Sequence, residues 1–173
     1  MSLFYPTLYR RRITDVTVED LQELGAEGVL LDIDNTLTTH DAPDLAPEVT
    51  AWLDRMRQAG YPMTVVSNNR EPRVRPFAEK IGLGYECHAG KPLARGYRAA
   101  AGKLGLPPER CAAIGDQIFT DIVGANLAGM PCILLEPIEP EVAQKFIVFK
   151  RFWERLLLRA PRQKRKREED YRG

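Results

Sequence analysis

Two aspartates lie two residues apart at the end of an apolar run, in the stretch VLLDIDNT from Val29 to Thr36. The apolar run, bounded by Gly28 and Asn35, predicts a buried parallel strand. Because side chains alternate along an extended chain, Asp32 and Asp34 are expected on the same side where the strand leaves the sheet. Two neighbouring buried carboxylates are unfavourable unless they share a cation or a proton. The pair therefore implies a metal ion.

Taken alone, that pair could be no more than an Asp-rich turn, but three later polar segments also follow predicted strands. They are SNN at 67–69, GKP at 90–92 and GDQIFTD at 115–121. In a parallel sheet the carboxyl ends of the strands meet at one edge, so the four segments are expected to lie together. They supply carboxylates, a hydroxyl with turn amides, and a lysine. Such groups can transfer a phosphoryl group through an aspartyl-phosphate.

The elements that must position these groups alternate between strands and helices. After the strand at Val29, strands are predicted at 61–66, 84–88, 111–114 and 132–135. Helices are predicted after Thr17, from Pro47 to Gly60, at 71–82, from Pro92 to Gly105 and at 122–128. Residues 2–12 are predicted to be irregular or briefly helical. The pattern predicts an α/β fold, a Rossmann-like parallel sheet of about five strands with helices on both faces.

The four motifs, in this order, resemble those of phosphatases of the haloacid dehalogenase superfamily, and the resemblance runs from Val29 to Leu135. It implies that Asp32 attacks phosphorus. It also implies a Mg²⁺ ion held by the carboxylates of Asp32 and Asp116 and by the backbone carbonyl of Asp34. Asp34 would protonate the leaving alkoxide and then activate the hydrolytic water.

The same resemblance assigns supporting roles to five further residues. Ser67 and the amide of Asn68 would hold the transferring phosphoryl oxygens, and Lys91 would balance charge among phosphate and carboxylates. Asp121 would support the metal, either as a ligand or from outside the ligand set. Thr36 would order the turn that follows the nucleophile.

A narrower resemblance concerns the substrate. The stretches LLDIDNTL, VVSNN, GKP and IGDQIFTDIVGAN are similar to subfamily IIIA proteins of the bacterial YqeG type and to the mitochondrial phosphatidylglycerophosphate phosphatases. This implies that the enzyme removes the terminal phosphate of phosphatidylglycerophosphate to give phosphatidylglycerol. The gaps at 39–60 and 70–89 are too short for an inserted cap domain. A cap-less, open site suits a large substrate or one presented on a surface.

The charge distribution divides the chain in two. Residues 1–144 hold 14 Lys and Arg against 20 Asp and Glu, whereas residues 145–173 hold 11 against 4. We predict a phosphatase domain at 1–144, including the lead-in, an amphipathic basic helix at 145–160 and a charged tail at 161–173. Aromatic and basic residues in the helix suit the headgroup region of an anionic membrane. Packing of its apolar face on the sheet or on another subunit is the alternative, and the tail is a solvated segment or binds lipid or RNA.

Composition limits the class of protein. A chain of 173 residues with 44% hydrophobic and 28% charged residues suits one globular domain. With no charged leader, no long apolar span and three cysteines without metal-type spacing, a cytoplasmic protein is expected, peripheral at the inner membrane face if the helix binds lipid.

Two other functions stay open at this stage. One is a phosphatase of the same mechanism that acts on a soluble or nucleic-acid phosphomonoester. The other is a non-catalytic RNA-binding or scaffold protein that uses the basic tail, although such a protein has no need of Asp34. The oligomeric state is left open by the sequence.

Overall fold

Six short parallel strands form the sheet that carries the candidate site. The computed structural model describes residues 3–39 and 44–139. The strands are β1 (Leu8–Arg10), β2 (Gly28–Leu31), β3 (Met63–Val66), β4 (Gly84–Glu86), β5 (Cys111–Gly115) and β6 (Cys132–Leu135). They lie in the order β1-β6-β5-β2-β3-β4, and each neighbouring pair is parallel. The predicted parallel α/β fold is confirmed.

Helices cover both faces of this sheet, as predicted. The α-helices of the described residues are α1 (Val18–Glu23), α2 (Pro47–Gln58), α3 (Glu71–Lys80), α4 (Ala94–Lys103) and α5 (Val123–Ala128). Leu30 and Leu31 of β2 point to opposite faces because they are adjacent in a strand. Leu31 lies in the core with α1 and α2, and Val65, its partner in β3, packs with α3. Leu30 lies in the core with α4 and α5.

Helix α2 shows why the apolar stripe of the sequence could be interpreted correctly. Val49, Trp52, Leu53 and Met56 recur at helical spacing, and all four side chains are buried. The indole Nε1–H of Trp52 donates to the carbonyl of Val16 at 2.7 Å, so the one polar atom of that side chain is satisfied inside the core. The stripe packs the core, as predicted.

The strand order reverses at β2. From this strand the chain proceeds outward through β3 and β4, and it then returns to β5 on the other side of β2. In open α/β sheets the crevice beyond the carboxyl ends of the strands at such a point is the usual ligand site. Asp32 follows β2 directly, and its N–H donates to the carbonyl of Ile114 in β5 at 3.0 Å. The first motif therefore begins at the reversal.

The prediction for the lead-in was wrong. Leu8–Arg10 form strand β1, which pairs in parallel with β6, and a short 3₁₀ helix follows at Ile13–Asp15. The edge of β6 presents backbone groups that need partners, and any short extended segment can satisfy them. Three residues are too few for an alternating pattern to be recognised, which is why the sequence did not predict this strand. With β1 the sheet has six strands, whereas about five were predicted.

The segment GDQIFTD was predicted to be a polar turn, and this too is corrected. Ile118–Ile122 form a π-helical turn that continues into α5. In a π-helix the N–H of one residue bonds the carbonyl five residues before it. Here the carbonyl of Gln117 accepts from the N–H of Ile122 at 3.2 Å and also from the N–H of Asp121 at 2.8 Å. The strand predicted at 84–88 also ends earlier, at Glu86.

Two predicted segments lie outside the described residues, namely the amphipathic helix at 145–160 and the tail at 161–173. In the two gaps considered for a cap, the described residues form α2 in the first and α3 with β4 in the second. Among the described helices, none combines the length and the apolar character needed to cross a membrane.

Asp20 joins the edge strand to helix α1. Its carboxylate accepts from Arg10 Nε at 2.9 Å and from a second guanidinium nitrogen, and it also accepts from the N–H of Thr17 at 3.0 Å. Burial alone would raise the pKa of Asp20, but the hydrogen bonds and charge of Arg10 and the amide of Thr17 hold it below its ordinary value. The ionised form therefore stabilises the fold.

We expect Asp20→Asn to lower the free energy of unfolding by about 1.5–3 kcal/mol at pH 7, because a buried charge-assisted pair is lost. A carboxylate with a lowered folded pKa contributes stability above its unfolded pKa and loses it as the pH falls. The difference between the two proteins should therefore shrink below about pH 4. Urea unfolding at pH 7 and pH 3 measures both quantities.

Asp54→Asn is the matched control, since Asp54 forms an exposed ion pair with Arg57 at 2.8 Å. Its effect should stay within about 0.5 kcal/mol. Equal losses in the two variants would contradict the role given to Asp20.

Candidate active site

Three carboxylates from two neighbouring strands meet at the reversal of strand order. Asp32 follows β2, whereas Asp116 and Asp121 follow β5. Each offers an oxygen, and these oxygens lie within 4.8 Å of one another. Asp116 and Asp121 are buried and Asp32 is partly buried. Parallel pairing of β2 with β5 produces this cluster, because it brings the two strand ends side by side.

Lys91 lies between two of these carboxylates. Its ammonium Nζ donates to Asp32 Oδ1 at 2.5 Å and to Asp121 Oδ1 at 2.8 Å, and only 4% of its side chain is exposed. The side-chain amide of Asn68 positions Lys91 by hydrogen bonding to both the N–H and the carbonyl of its backbone. Asn68 Oδ1 accepts from the N–H of Lys91 at 2.7 Å, and Nδ2 donates to the carbonyl of Lys91 at 3.1 Å. The second and third motifs are thus joined directly.

Burial and the neighbouring charges shift the pKa values of both Asp32 and Lys91. Burial raises the pKa of Asp32 to about 7, although the charge of Lys91 opposes the shift. Burial alone would lower the pKa of Lys91, but the carboxylates of Asp121 and Asp32 raise it well above its ordinary value. The charged form of Lys91 is therefore favoured, and Asp32 and Asp121 share this one cation.

Asp121 is held on both of its oxygens. Oδ1 accepts from Lys91 and, at 3.2 Å, from the hydroxyl of Tyr97, while Oδ2 accepts from the N–H of Gln117 at 3.0 Å. Space for this side chain exists only because residue 115 is glycine. A Cβ at Gly115 would lie 2.5 Å from Cγ of Asp121. The glycine that ends β5 therefore decides where Asp121 can lie.

Asp34 contacts groups from the loop after β3 and from helix α3. One carboxylate oxygen accepts from Asn69 Nδ2 at 2.7 Å and the other from a guanidinium nitrogen of Arg73 at 2.6 Å. Asn69 belongs to the SNN motif, and Arg73 lies in the first turn of α3. These contacts fix the position of the Asp34 carboxylate from two sides.

Ser67 and Thr36 occupy the turns beside the cluster. The hydroxyl of Ser67 accepts from the N–H of Asn69 at 3.1 Å, and the residue is buried. The hydroxyl of Thr36 lies 3.5 Å from Asp32 Oδ2. The structure thus brings all eight predicted residues to the carboxyl edge of the sheet.

Asn69, Arg73 and Tyr97 were missed by sequence reasoning. Asn69 could have been inferred from its place in the SNN motif, because the turn after a strand at this edge faces the site. Arg73 and Tyr97 carry no such signal. Each lies inside a helix, and only the packing of α3 and α4 brings it to a site carboxylate.

The donor set fits a divalent cation. The carboxylate oxygens of Asp32, Asp116 and Asp121 are hard ligands, and their separation within 4.8 Å allows one ion to reach several of them. Three acids exceed the charge of a single lysine, so a cation would also offset the remaining negative charge.

The chain matches a family model described as haloacid dehalogenase-like hydrolase over residues 5–129. The chain belongs to this family. It is 36% identical over 164 residues to "Probable phosphatase YqeG" of Bacillus subtilis, covering 94% of each chain. The predictions of family and of a phosphatase are confirmed.

Two further comparisons concern a plant relative and the fold. The chain is 27% identical over 139 residues to phosphatidylglycerophosphate phosphatase 1 of Arabidopsis thaliana, covering 75% of this chain and 40% of the plant protein. Its fold is similar to the cobalt-bound deoxy-D-mannose-octulosonate 8-phosphate phosphatase of Haemophilus influenzae, with a TM-score of 0.52 and 15% identity. That match covers 65% of this chain and 69% of the other.

We expect Gly115→Ala to lower phosphatase activity by about a hundredfold, because the new methyl group must displace Asp121 and with it a contact of Lys91. Overpacking should also destabilise the fold by about 1–3 kcal/mol. Phosphate release and thermal unfolding measure the two effects.

Gly102→Ala is the control, since nothing lies within 4 Å of the Cβ it would add in helix α4. This variant should keep full activity and gain up to about 1 kcal/mol of stability. Full activity in Gly115→Ala would show that the position of Asp121 is unimportant.

We expect Arg73→Ala to lower kcat/KM by about tenfold for an alkyl phosphomonoester, because Asp34 loses one of the groups that orient it. The loss should be smaller for p-nitrophenyl phosphate, whose leaving group needs no proton. Arg73→Lys should recover part of the activity on the alkyl ester.

Arg75→Ala serves as the comparison on the same helix, since Arg75 pairs with Glu79 at 2.7 Å. The Arg75→Ala variant should keep the unaltered kcat/KM for both the alkyl ester and p-nitrophenyl phosphate. If Arg73→Ala reduced turnover of the two esters equally, its role would lie in phosphate binding or folding and not in orienting Asp34.

Proposed function

We propose that this phosphatase is a Mg²⁺-dependent phosphomonoester hydrolase that works through an aspartyl-phosphate on Asp32. The observation that supports this most directly is the contact of Lys91 Nζ with both Asp32 and Asp121. It joins residues from three separated motifs in one buried cluster. A lysine so placed neutralises the nucleophilic carboxylate and the incoming phosphate together.

In the first half of the proposed reaction, Asp32 attacks phosphorus and the bond to the substrate oxygen breaks. Asp34 donates a proton to that leaving oxygen, which departs as an alcohol. Asn69 and Arg73 hold the carboxylate of Asp34 in place for this transfer. In the second half, Asp34 accepts a proton from water, and the water attacks the phosphoaspartate to release phosphate and restore Asp32.

The phosphoryl oxygens are held by the turn after β3 and by Lys91. Ser67 offers its hydroxyl and Asn68 its backbone amide, while the side chain of Asn68 is engaged with Lys91. Because the side chains that surround the phosphate are fixed by hydrogen bonds beforehand, little reorganisation is needed as charge develops.

We assign the metal to the carboxylates of Asp32 and Asp116 and to the backbone carbonyl of Asp34. Asp121 supports the site through Lys91, whose ammonium it holds at 2.8 Å. When bound, Mg²⁺ would supply positive charge to the phosphate oxygens.

Phosphatidylglycerophosphate is the proposed substrate. The name of the Arabidopsis relative supports this, as do the short gaps at 39–60 and 70–89, whose described residues form α2 and α3 with β4. A site without an inserted cap suits a headgroup that stays in its membrane. We therefore place the enzyme at the cytoplasmic face of the membrane, with an anionic lipid as its partner.

The test is Mg²⁺-dependent phosphate release from phosphatidylglycerophosphate in mixed micelles, beside a panel of soluble phosphomonoesters. We expect a strong preference for the lipid, loss of activity with a chelator and recovery with Mg²⁺. Asp32→Asn should lower turnover by about a thousandfold or more, because the nucleophile is removed.

Circular dichroism of Asp32→Asn is needed to show that the variant folds. Retained Mg²⁺-dependent turnover in that variant would remove Asp32 from the mechanism. Release from soluble esters alone would keep the mechanism and discard the lipid substrate.

A further inference from the structure

One face of the molecule differs from the rest in its exposed side chains. We define the α4–α5 face as helices α4 and α5, the π-helical turn between Ile118 and Ile122, Leu93, and the N-terminal residues 3–5. Leu93 directly precedes α4, and residues 3–5 lie against α5. This face covers the side of the sheet opposite α1, α2 and α3.

Hydrogen bonds and ring contacts make this face continuous. Asn126 Nδ2 donates to the carbonyls of Leu3 at 2.8 Å and Tyr5 at 3.1 Å. The ring of Phe4 meets that of Phe119 edge to face at 5.9 Å. On the other side of α5, a guanidinium nitrogen of Arg98 in α4 donates to the carbonyl of Leu127 at 3.1 Å.

The face has no exposed acidic side chain. Helix α4 carries Arg95, Arg98 and Lys103 and no acid, and the π-helical turn with α5 carries only Asp121, which is buried. The helices of the opposite side carry five bases beside seven acids, which are Glu19, Asp20, Glu23, Glu48, Asp54, Glu71 and Glu79. Since Lys103 pairs with Glu86 of β4 at 2.7 Å, Arg95 and Arg98 make the face cationic in a domain that is acidic elsewhere.

The same face is also apolar. Six large hydrophobic side chains are exposed among the described residues, and five belong to this face. Leu93 is 57% exposed, and the others are Leu3, Phe4, Tyr5 and Leu127. Scattered apolar residues are ordinary on a protein surface, but their concentration on one face marks an interaction site.

The face adjoins the candidate active site along its edge. Leu93 follows Lys91 by two residues, and Phe119 precedes Asp121 by two. The loop of Leu93 is held against α5, since the carbonyl of Pro92 would lie 3.3 Å from a Cβ added at Gly124. Whatever binds this face therefore lies next to the site.

We propose that the α4–α5 face docks on an anionic lipid bilayer, with Leu93 and Phe4 entering the headgroup region and Arg95 and Arg98 contacting lipid phosphates. The proposal rests on the lipid substrate proposed above and extends it to the surface that presents the site to the membrane. Exposed leucine and phenylalanine beside arginine suit a bilayer interface, where apolar and cationic groups are both stabilised. A nucleic acid would use the arginines but not the leucines.

The test is flotation of the full chain with vesicles of phosphatidylcholine, or of phosphatidylcholine with about one third phosphatidylglycerol. We expect the full chain to bind the anionic vesicles. Leu93→Ser and Arg95→Glu should each weaken that binding by about tenfold. Raising the salt concentration should weaken binding of the unaltered chain more than that of Arg95→Glu.

Two matched controls lie outside the face. Ile138→Ser removes an apolar side chain that is 48% exposed, and Arg55→Glu reverses an exposed charge on α2. Both should bind vesicles as the unaltered chain does. Unchanged vesicle binding in Leu93→Ser and Arg95→Glu, or equal losses in the controls, would overturn the proposal. The proposal would also be overturned if the full chain bound single-stranded RNA and did not bind the vesicles.

Measurements of enzymatic turnover distinguish a failure of this docking proposal from a failure of the proposed function. Leu93→Ser should hydrolyse p-nitrophenyl phosphate at the unaltered rate, because Leu93 does not belong to the catalytic cluster. If the full chain bound vesicles through this face but released no phosphate from phosphatidylglycerophosphate, the substrate would be wrong and the docking face would stand. If lipid turnover persisted while Leu93→Ser and Arg95→Glu bound vesicles normally, the face would be wrong and the function would stand.

Discussion

A single buried ammonium shared by two carboxylates is the interaction on which the site depends. Lys91 Nζ contacts Asp32 at 2.5 Å and Asp121 at 2.8 Å, with Asp116 close by. Acids packed this closely away from water repel each other and lose hydration, so the fold can hold them only with cations among them. The lysine supplies one positive charge, and a metal ion on the carboxylates of Asp32 and Asp116 would supply more.

The surrounding structure holds that interaction in place through backbone geometry. Parallel pairing of β2 with β5 sets Asp32 beside Asp116, and the π-helical turn brings Asp121 back over the end of β5. Gly115 leaves room for Asp121, and Asn68 fixes the backbone of Lys91 on both sides. The strand pairing, Gly115 at the end of β5, the π-helical turn and the loop with Asn68 all lie at or lead to the carboxyl edge. The sheet therefore acts as the rigid part and the loops carry the chemistry.

The distribution of surface charge complements the chemistry of the site. A phosphate group is anionic, and so is the bilayer that would present it as a lipid headgroup. The α4–α5 face offers exposed arginines and no exposed acid next to the site, whereas α1, α2 and α3 carry seven acids and five bases. In the docking proposed above, this distribution of charge would orient an otherwise acidic domain toward the anionic surface.

The sequence by itself determined the alternation of strands and helices, the buried stripe of α2 and the eight residues at the sheet edge, because these depend on local periodicity and on parallel topology. It did not reveal β1, since Leu8–Arg10 are extended only because the edge of β6 pairs with them. Nor did it reveal Arg73 at Asp34 or Tyr97 at Asp121, which lie in helices and reach the site only through helix packing. The α4–α5 face, which has no exposed acid, also became visible only in three dimensions. Its residues come from three separate segments, and no local pattern records which segments will be neighbours.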